Sequence, residues 1–445
     1  MEIRKTDGSR LRKGLSERQT AYALILPAML VIFAVAVFPL LQTFYISLFD
    51  LRLNHPTRNA RHFVHKLNLE QYVDMTDRGR SALASLSDSD VSDDVLRRLP
   101  AIGETLDRLH DTLVSNPDRL DQYERVRDLV VTFEPVRESS LRYFRISGLE
   151  ANEALSLAEQ LQDDVARAIA ATRESPSRQL RVLEQISQDV GRSIVYPNFI
   201  GLGHYAAHFA DTRLWSSLIN TMTFVGFAVL FELVFGMLIA LLINRKFLGR
   251  GAIRATVLIP WSIPAAVSAL IWRYMYDGQF GIVARALDAV GLIGDSSVML
   301  STGSGAMVSL IVADIWKTTP FMALLLLGGL QTIDGTLYES ARVDGARSYQ
   351  QFFRITLPLL KNTMMVAIIF RSLDTFKVFD LVYVLTAGGP ANATETLSVF
   401  AYRLMFRQMN FGSGSAVAVV VFICITLLSV VYVKALDSDM LTGHK

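Results

Sequence analysis

The chain has 445 residues, of which 51% are hydrophobic and 19% charged, and its formal net charge is +2. This near balance of charge gives no basis for a nucleic acid partner, which requires a strongly basic surface. The averages conceal two kinds of sequence. Residues 52–200 carry 20 Lys and Arg against 24 Asp and Glu, a net charge of −4, whereas the remainder is apolar and carries +6. A charged block is therefore inserted into membrane-type sequence.

Six apolar runs are long enough to cross a bilayer, which takes about 20 helical residues. A basic leader precedes the first run, as in a signal peptide, but this run continues to Phe49, beyond the roughly 7–15 residues of a signal-peptide core. We therefore expect an uncleaved first helix and an integral membrane protein. The six runs are residues 22–49, 217–243, 252–275, 306–330, 362–385 and 414–436.

The distribution of Lys and Arg among the short connections predicts the orientation of the chain. Six of these residues lie in the leader, four in 244–254 and four in 331–361, whereas 276–305 has one and 386–413 has two. Both termini are therefore expected in the cytoplasm, and the charged block on the other side of the membrane. The predicted parts are a cytoplasmic leader (1–20), a first transmembrane helix (21–50), an extracytoplasmic helical insert (51–210), a five-helix remainder (211–436) and a cytoplasmic tail (437–445).

The insert has the periodicity of helices and no sustained alternation typical of strands. Cys424, in the last apolar run, is the only cysteine, so packing alone must hold the insert together. We predict a small helical bundle or a helical arm, which serves either as a docking surface or cap or as a spacer. Two apolar stripes have the required spacing of three and four residues: Leu99, Ile102, Leu106, Leu109 and Leu113, and then Leu180, Leu183, Ile186, Val190 and Ile194.

Two histidine pairs, His62 with His65 and His204 with His208, have the spacing of metal ligands. No cysteine or carboxylate motif completes either set, so we interpret them as surface histidines. The sequence also lacks a phosphate-binding loop, a zinc-protease motif and a nucleophile elbow. It therefore predicts no catalytic residue, no metal site, no cofactor bound by this chain and no ATP hydrolysis of its own.

Residues 339–358 form a polar, arginine-bearing stretch between two apolar runs. Gly345 interrupts its helical pattern and suits a bend between two short helices. Pro358 is expected to end the second helix and to start the next transmembrane run. The pattern alone leaves two interpretations open. The stretch is either a compact helix-turn-helix that presents a surface to a partner, or an interfacial helix on membrane lipid headgroups.

The order of residues in this stretch resembles the EAA loop of binding-protein-dependent ABC importers. The pattern consists of Glu-Ser-Ala at 339–341, Asp-Gly-Ala at 344–346, and then Phe352, Ile355 and Leu-Pro at 357–358. Only the serine departs from it, replacing one small residue by another. The resemblance implies a coupling loop over 336–360 that docks on a separate ATPase. It assigns this coupling to Glu339, Ser340, Ala341, Asp344, Gly345, Ala346, Phe352 and Pro358.

A second stretch is similar to the carbohydrate permeases of the maltose type, in particular to their MalF-like member. It reads Phe-Lys-Val-Phe-Asp at 376–380 and Leu-Thr-Ala-Gly-Gly-Pro at 385–390, followed by Thr394 and Thr396. The resemblance includes all six apolar runs. It implies an all-α integral membrane protein with the six transmembrane helices of an ABC importer permease, in the bacterial cytoplasmic membrane. The large helical insert departs from the maltose permease, whose corresponding domain is of β type.

The same resemblance implies the partners. They are a MalG-like second permease, two copies of an ABC ATPase that bind ATP and Mg, and an extracytoplasmic sugar-binding protein. The chain would form the sugar path together with the second permease. Two alternatives belong to other classes. A secondary transporter would usually contain internal repeats, and none is found between the halves of this sequence. A membrane sensor would use the insert as its receiver.

Charged residues lie inside the fourth and fifth apolar runs, where charge is unfavourable to insert. Asp314 and Lys317 are three residues apart, and Asp374, Lys377 and Asp380 repeat every three residues, so each set is expected on one helix face. Two interpretations remain open. The charges are either salt bridges that hold helices together, or a polar pathway for a hydroxyl-rich solute.

Pro320 favours the pathway, because a proline in mid-run removes a helical hydrogen bond, and broken helices commonly border transporter binding sites. Glu232, in the second run, is instead expected to be an interhelical partner. Phe321 and Phe376 would act as stacking platforms for a sugar. By resemblance to the maltose permease, sugar contacts are expected at Lys317, Thr318, Phe321, Phe376, Lys377 and Asp380.

Overall fold

The structure is a computed structural model that describes residues 17–88, 91–172, 175–245 and 247–442. Most of the predicted leader and the last three residues of the predicted tail lie outside these ranges. The described residues divide into two compact units. The membrane unit comprises those up to Ser47, His208–Ala401 and those from Ser415 onward. The insert unit comprises Leu48–Ala207 together with Tyr402–Gly414.

Among the described residues, five helices are long and apolar enough to cross a membrane, or six if a bent pair counts as one span. This is the predicted all-α membrane architecture. We name the spans by their order in the chain. The first-span helix consists of Glu17–Ile32, a π-helical turn Phe33–Val37 and Phe38–Ile46; the second-span helix is Thr212–Asn244, the fourth-span helix Gly303–Leu330, and the sixth-span helix Phe411–Thr442.

The third span is broken rather than a single helix. Its pieces, Arg250–Val257 with Ile259–Ser262 and then Ala265–Met275, meet at a bend of 88°. The residue before Pro264 is pushed out of the helical region by the proline ring, and Ile263 accordingly has an extended backbone, with φ −74° and ψ 132°. The break leaves the last carbonyl groups of the preceding helix without partners in that helix.

The fifth-span helix starts earlier and ends earlier than the apolar run predicts. It consists of Ser348–Gln351, a π-helical turn Phe352–Thr356 and Leu357–Phe376, and a separate helix follows at Asp380–Leu385. The prediction that Pro358 ends one helix and starts another is therefore wrong. The π-helical turn just before the proline shifts the hydrogen-bond register, so the helix continues through a residue that has no N–H to donate.

Asp374, Lys377 and Asp380 do not share one helix face, contrary to prediction. The helix ends at Phe376, Lys377 caps it, and Phe379 leaves the helical region with φ −130° and ψ −60°. The prediction that Pro320 breaks the fourth-span helix is also wrong, since this helix is continuous through the buried proline. A proline removes only its own donor, and the remaining bonds and close packing keep the helix intact.

Small residues allow the span helices to pack closely. A Cβ atom at Gly236 of the second-span helix would lie 2.7 Å from Cγ of Met322 in the fourth-span helix. One at Gly329 would lie 2.6 Å from the hydroxyl of Thr363 in the fifth-span helix. Close backbone approach of this kind supplies the van der Waals contact that joins helices in a bilayer.

Several shorter helices lie between the spans. They are Gly203–Ala210, Ile282–Ala289, Val298–Ser301, Gly335–Val343 and Leu397–Tyr402, with a π-helical turn at Arg403–Arg407.

The insert unit is a helical bundle, as predicted, with a small sheet that the sequence did not predict. Both apolar stripes are buried in one core. The strands are β1 (Lys66–Asn68), β2 (Tyr143–Arg145) and β3 (Ile194–Val195), antiparallel in the order β2-β1-β3. Strands of two or three residues are too short to show alternation. The helices are Leu69–Ser87, Asp93–Leu96, Leu99–Val114, Pro117–Val131, Ser139–Arg142, Gly148–Ala170 and Arg178–Ser193.

The segment Tyr402–Gly414 belongs to the insert unit although it is distant in sequence. The N–H of Leu53 donates to the carbonyl oxygen of Met409 at 2.9 Å, and the N–H of Gly412 donates to that of Leu51 at 3.1 Å. A Cβ atom at Gly412 would overlap the carbonyl oxygen of Phe49, so only glycine fits there. The insert unit is thus closed by a segment from near the other end of the chain.

The interpretation of the histidines as surface residues is wrong for three of the four. His62, His204 and His208 are buried. The Nε2 atom of His204 lies 3.1 Å from the carbonyl oxygen of Phe49, and the ring of His208 packs edge-on against Phe400. A backbone contact and ring packing therefore account for His204 and His208, respectively. In the described ranges, no group of three or more His, Cys, Asp or Glu side chains has the arrangement of a metal site.

Candidate functional site

The centre of the membrane unit contains a buried arginine that joins three span helices. Arg371, in the fifth-span helix, donates from Nε and Nη2 to the two carboxylate oxygens of Glu232 in the second-span helix, at 2.7 and 2.9 Å. Its Nη2 also lies 3.5 Å from Asp314 of the fourth-span helix. The side chains of Arg371 and Glu232 are 4% and 0% exposed. The prediction that Glu232 is an interhelical partner is confirmed.

Thr318 is part of this buried network. Its hydroxyl lies 2.7 Å from Oε1 of Glu232 and 2.6 Å from the carbonyl oxygen of Asp314, one turn earlier in the same helix. A buried hydroxyl that already has both contacts is positioned to orient the carboxylate of Glu232. In this conformation the contacts of Thr318 are therefore structural.

Unlike the neighbouring charged residues, Lys317 contacts backbone carbonyl groups. Its Nζ atom donates to the carbonyl oxygen of Ile263 at 2.8 Å and lies 3.4 Å from that of Trp261. These carbonyl groups are at the break in the third span, where they lack partners in their own helix. Phe321, one turn further along, stacks its ring on that of Trp261 at 5.6 Å between centroids. Lys317 and Phe321 together hold the broken third span against the fourth-span helix.

A cleft of about 310 Å³ opens beside the buried network. Of the six residues predicted to contact sugar, it brings together Lys317, Thr318, Lys377 and Asp380. Phe321 lies outside this lining, and the ring of Phe376 is completely buried. The charged and hydroxyl-bearing residues that line the cleft are Asp314, Lys317, Thr318, Arg371, Asp374, Thr375, Lys377 and Asp380. The assignment of sugar contacts stays a prediction.

Arg371 was not predicted as a site residue, although the sequence contains a signal for it. An arginine in the middle of an apolar run is as unfavourable to insert as the acidic residues and lysines that were considered. It also stands three residues before Asp374, to which it donates from Nη1 at 2.9 Å. The sequence does not show how the three helices are aligned. This alignment brings Glu232, 139 residues away, into contact with the guanidinium of Arg371.

A second candidate site is the polar stretch between the fourth and fifth spans. The helix Gly335–Val343 begins with Asp334, whose carboxylate accepts the N–H of Thr336 at 3.0 Å, a contact that lowers the pKa of this carboxyl. The chain then turns at Gly345, whose φ of +75° is readily adopted only by glycine. The predicted bend between two helices is confirmed.

Side-chain contacts help to hold this helix-turn-helix together. The side-chain amide of Gln351 donates to the carbonyl oxygen of Ala346 at 2.9 Å, and the hydroxyls of Tyr338 and Thr356 are 3.0 Å apart. Around the turn lies a hollow of about 410 Å³, lined by Ala341, Asp344, Gly345, Ala346, Gln350, Gln351, Arg354 and Ile355. Glu339, Ser340, Asp344, Gly345 and Pro358 are exposed, whereas Ala341, Ala346 and Phe352 are half-buried.

The fold and these two sites define a helical membrane transport protein with a charged cleft among its spans and a protruding helix-turn-helix between two of them. A family model described as the binding-protein-dependent transport system inner membrane component matches residues 232–442. The model starts within the second span, so it does not include the insert. The chain belongs to this family and is a multi-pass inner membrane transport subunit.

Named relatives from three organisms are similar over about half of this chain. The trehalose/maltose transport system permease protein MalF of Thermococcus litoralis is 41% identical over 53% of this chain and 79% of its own length. The trehalose transport system permease protein SugA of Mycobacterium tuberculosis is 36% identical over 53% and 74%. The sulfoquinovosyl glycerol transport system permease protein SmoG of Agrobacterium fabrum is 37% identical over 53% and 76%. The predicted resemblance to MalF-like permeases is confirmed.

Proposed function

We propose that this chain is a permease subunit of an ATP-driven sugar importer and takes up a glucosyl disaccharide such as trehalose or maltose. The names of two of its relatives specify these sugars. The observation that carries the proposal is the cleft of the membrane unit, where Lys377, Asp380 and Asp374 offer donors and acceptors for a hydroxyl-rich solute. Lys317, Thr318, Phe321 and Phe376 complete the proposed sugar path, the two phenylalanines becoming accessible when the spans rearrange.

The proposed complex contains a MalG-like second permease, which supplies the other half of the sugar path. The first-span helix supports a further membrane partner, because none of its apolar window within Leu24–Ile46 is buried by the described residues. An extracytoplasmic sugar-binding protein delivers the sugar. In the proposed orientation both termini are cytoplasmic, and the insert unit lies on the side from which the sugar arrives.

The energy for transport comes from two copies of an ABC ATPase, which bind ATP and Mg; this chain binds no cofactor. Its helix-turn-helix over 336–360 docks on the ATPase through its exposed Glu339, Ser340 and Asp344. The hollow at Gly345 and Ala346 receives part of the partner surface. A rigid turn between two helices suits this role, because it passes movement of the ATPase to the fifth-span helix that follows directly.

Reconstitution tests the proposal. The chain is co-purified with a candidate second permease and a candidate ABC ATPase from the same organism, and uptake of radiolabelled trehalose and maltose into proteoliposomes is measured with a sugar-binding protein. We expect ATP-dependent uptake that requires the binding protein. Uptake without an ATPase indicates a secondary transporter. Purification without any ATPase, and no uptake, favours the sensor and overturns the proposal.

A glycine substitution separates coupling from assembly. Gly345→Pro removes the left-handed turn and the bond from its N–H to the carbonyl oxygen of Arg342, so transport is expected to fall to background. Gly291→Pro is the matched control, since Gly291 has φ +73° and its N–H donates to the carbonyl oxygen of Asp288. Normal transport by Gly345→Pro would show that this turn does not couple the subunits.

A further inference from the structure

Four charged side chains of alternating sign connect the interior of the membrane unit with its cleft. Glu232 and Arg371 form the buried end of this chain of contacts. Nη1 of Arg371 donates to Oδ2 of Asp374 at 2.9 Å, and Oδ1 of Asp374 lies 3.5 Å from Nζ of Lys377. The side chains of Asp374 and Lys377 are 61% and 64% exposed. The contacts thus run from the protein interior to an accessible amine.

Several hydrogen bonds together fix the orientation of the Arg371 guanidinium. Its bidentate contact with Glu232 sets the plane of the group, and Nη2 also donates to the hydroxyl of Thr375 at 2.9 Å. Charge-assisted bonds of this length are stronger than neutral ones and are geometrically specific. They also lie where little water competes with them. Arg371 therefore presents Nη1 to Asp374 in one fixed direction.

The spacing of residues along the fifth-span helix connects Arg371 with the cleft. Arg371, Asp374 and Lys377 are spaced by three residues at the end of the fifth-span helix, so they follow one another along one side of it. Lys377 is the C-terminal cap residue of that helix. Its backbone lies at the end of the helix, so helical geometry constrains the direction of its side chain less than that of Arg371 or Asp374. A carboxylate already oriented by Arg371 supplies the nearest constraint on the amine.

We propose that Arg371 is a positioning residue for the sugar path, acting through Asp374 to hold the amine of Lys377 toward the passing solute. The inference rests on the proposed function. It assigns a role to Glu232 and Arg371, neither of which was predicted to contact sugar, and it gives Asp374 a positioning role in addition to its place in the cleft. Lys317 is positioned separately, by the carbonyl groups of the broken third span. The two lysines of the cleft therefore depend on different partners, which makes the proposal testable.

The experiment measures trehalose imported per ATP hydrolysed, using the complete importer in proteoliposomes with its binding protein. This ratio does not change when fewer complexes assemble. Glu232→Gln and Asp374→Asn are each expected to lower it about fivefold, a typical effect for coupled neighbours. Asp374→Asn is exposed and leaves the buried pair intact, so it reports on the proposal even if Glu232→Gln does not fold.

Combined variants separate positioning from a structural role. In a Lys377→Ala background, Glu232→Gln is expected to lower the ratio no further, because the residue it positions is gone. In a Lys317→Ala background it is expected to lower the ratio by the same factor as in the wild type. Glu395→Gln is the matched control, since Glu395 is as buried as Glu232 and forms a bidentate pair with Arg213 at 2.8 Å, outside the lining of the cleft. It is expected to leave the ratio unchanged.

The outcomes are distinguishable. Multiplicative effects of Glu232→Gln and Lys377→Ala would show that the two residues act independently and would overturn the inference. An unchanged ratio in Asp374→Asn would do the same. A wild-type importer that moves neither trehalose nor maltose in the presence of its binding protein would contradict the proposed function, and the inference would fall with it.

Discussion

The insert unit and the membrane unit are both helical, but they place charge in opposite locations. In the insert unit the pair Arg125–Asp121 is typical, with both side chains about two-thirds exposed, and the core beneath consists of apolar side chains. In the membrane unit Arg371 and Glu232 are buried together, while apolar side chains such as Leu30 and Phe38 of the first-span helix are exposed.

The difference follows from the solvent of each unit. Water drives apolar side chains of the insert together, and exposed ion pairs add little there. Lipid is as apolar as leucine, so the spans gain nothing from hiding apolar side chains from it. Close packing at Gly236 and Gly329, and polar contacts between helices, must supply their specificity instead. Four changes to these two units test the contrast, in order of decreasing effect.

Replacing the insert helices tests whether the two units have separate roles. Residues 66–196 are exchanged for a short flexible linker, which leaves the contacts of Leu51 and Leu53 with 402–414 in place. Assembly and basal ATP hydrolysis are expected to persist, because the spans and the helix-turn-helix are unchanged. Stimulation of hydrolysis by the sugar-loaded binding protein is expected to fall to the basal rate. The measurement is ATPase rate against binding-protein concentration in nanodiscs, and an unaltered curve would make the insert a spacer.

Removing one partner of the buried pair is expected to destabilise the membrane unit strongly. Glu232→Ala leaves the guanidinium of Arg371 buried without its bidentate acceptor, a change that typically destabilises by about 3–5 kcal/mol. The yield of assembled complex, measured by size-exclusion chromatography, should fall sharply. Adding Arg371→Met should restore much of it, since the buried guanidinium is then gone and Asp314 loses only a contact of 3.5 Å with it. Equal yields from the single and double variants would contradict this account.

Truncating an apolar side chain is expected to affect the insert core instead. Leu109 is completely buried in the first apolar stripe, and Leu109→Ala should lower the stability of the insert unit by about 3 kcal/mol. Hydrogen exchange of the peptides from Leu99–Val114 measures the loss. The matched control is Leu149→Ala, because Leu149 is 82% exposed; it should change stability by less than about 0.5 kcal/mol. Similar exchange rates in both variants would place Leu109 outside the stabilising core.

The smallest effect concerns a partly exposed ion pair of the insert. The bond from Arg119 to Glu150, at 2.8 Å, is the main reason that the pKa of this carboxyl falls from 4.5 to about 2. Because the pKa is depressed in the folded state, the stabilisation is present above about pH 4.5 and is lost as the pH falls toward 2. Partial exposure limits it to about 1 kcal/mol.

Glu150→Gln should therefore lower the unfolding temperature of the insert by about 2–4 °C at pH 7, and by progressively less as the pH approaches 2. Arg125→Gln, which breaks the exposed pair with Asp121, should produce a smaller shift at every pH. A Glu150→Gln shift that is independent of pH would show that the carboxylate charge does not stabilise the insert.

Features governed by residues near one another in sequence were predictable. The apolar stripes beginning at Leu99 and Leu180 predict buried helix faces, since helical periodicity places those side chains on one side. Gly345 predicts the turn because it alone in that stretch tolerates a left-handed backbone. The break of the third span had a local signal in Pro264. Pro320 in the fourth span does not break its helix, because close packing keeps that helix continuous.

The candidate site shows the limit of local reasoning. The sequence predicted charges in the fourth and fifth spans and an interhelical role for Glu232. It did not indicate that Arg371 is the residue that Glu232 binds, nor that Lys317 binds the carbonyl groups at Ile263 instead of a carboxylate. It placed Asp380 on the same helix as Asp374, whereas a new helix begins there. These outcomes depend on which backbone groups a neighbouring helix leaves unpaired.

The membrane class, the helical insert, the family and the turn at Gly345 were predictable from the sequence, because hydropathy, periodicity and motif spacing are properties of consecutive residues. Which charges are paired and which face the cleft could be seen only in the folded chain. That choice depends on helix register and on the break in the third span. A buried charge binds whichever partner the fold brings within about 3 Å, and for Arg371 that partner is 139 residues away.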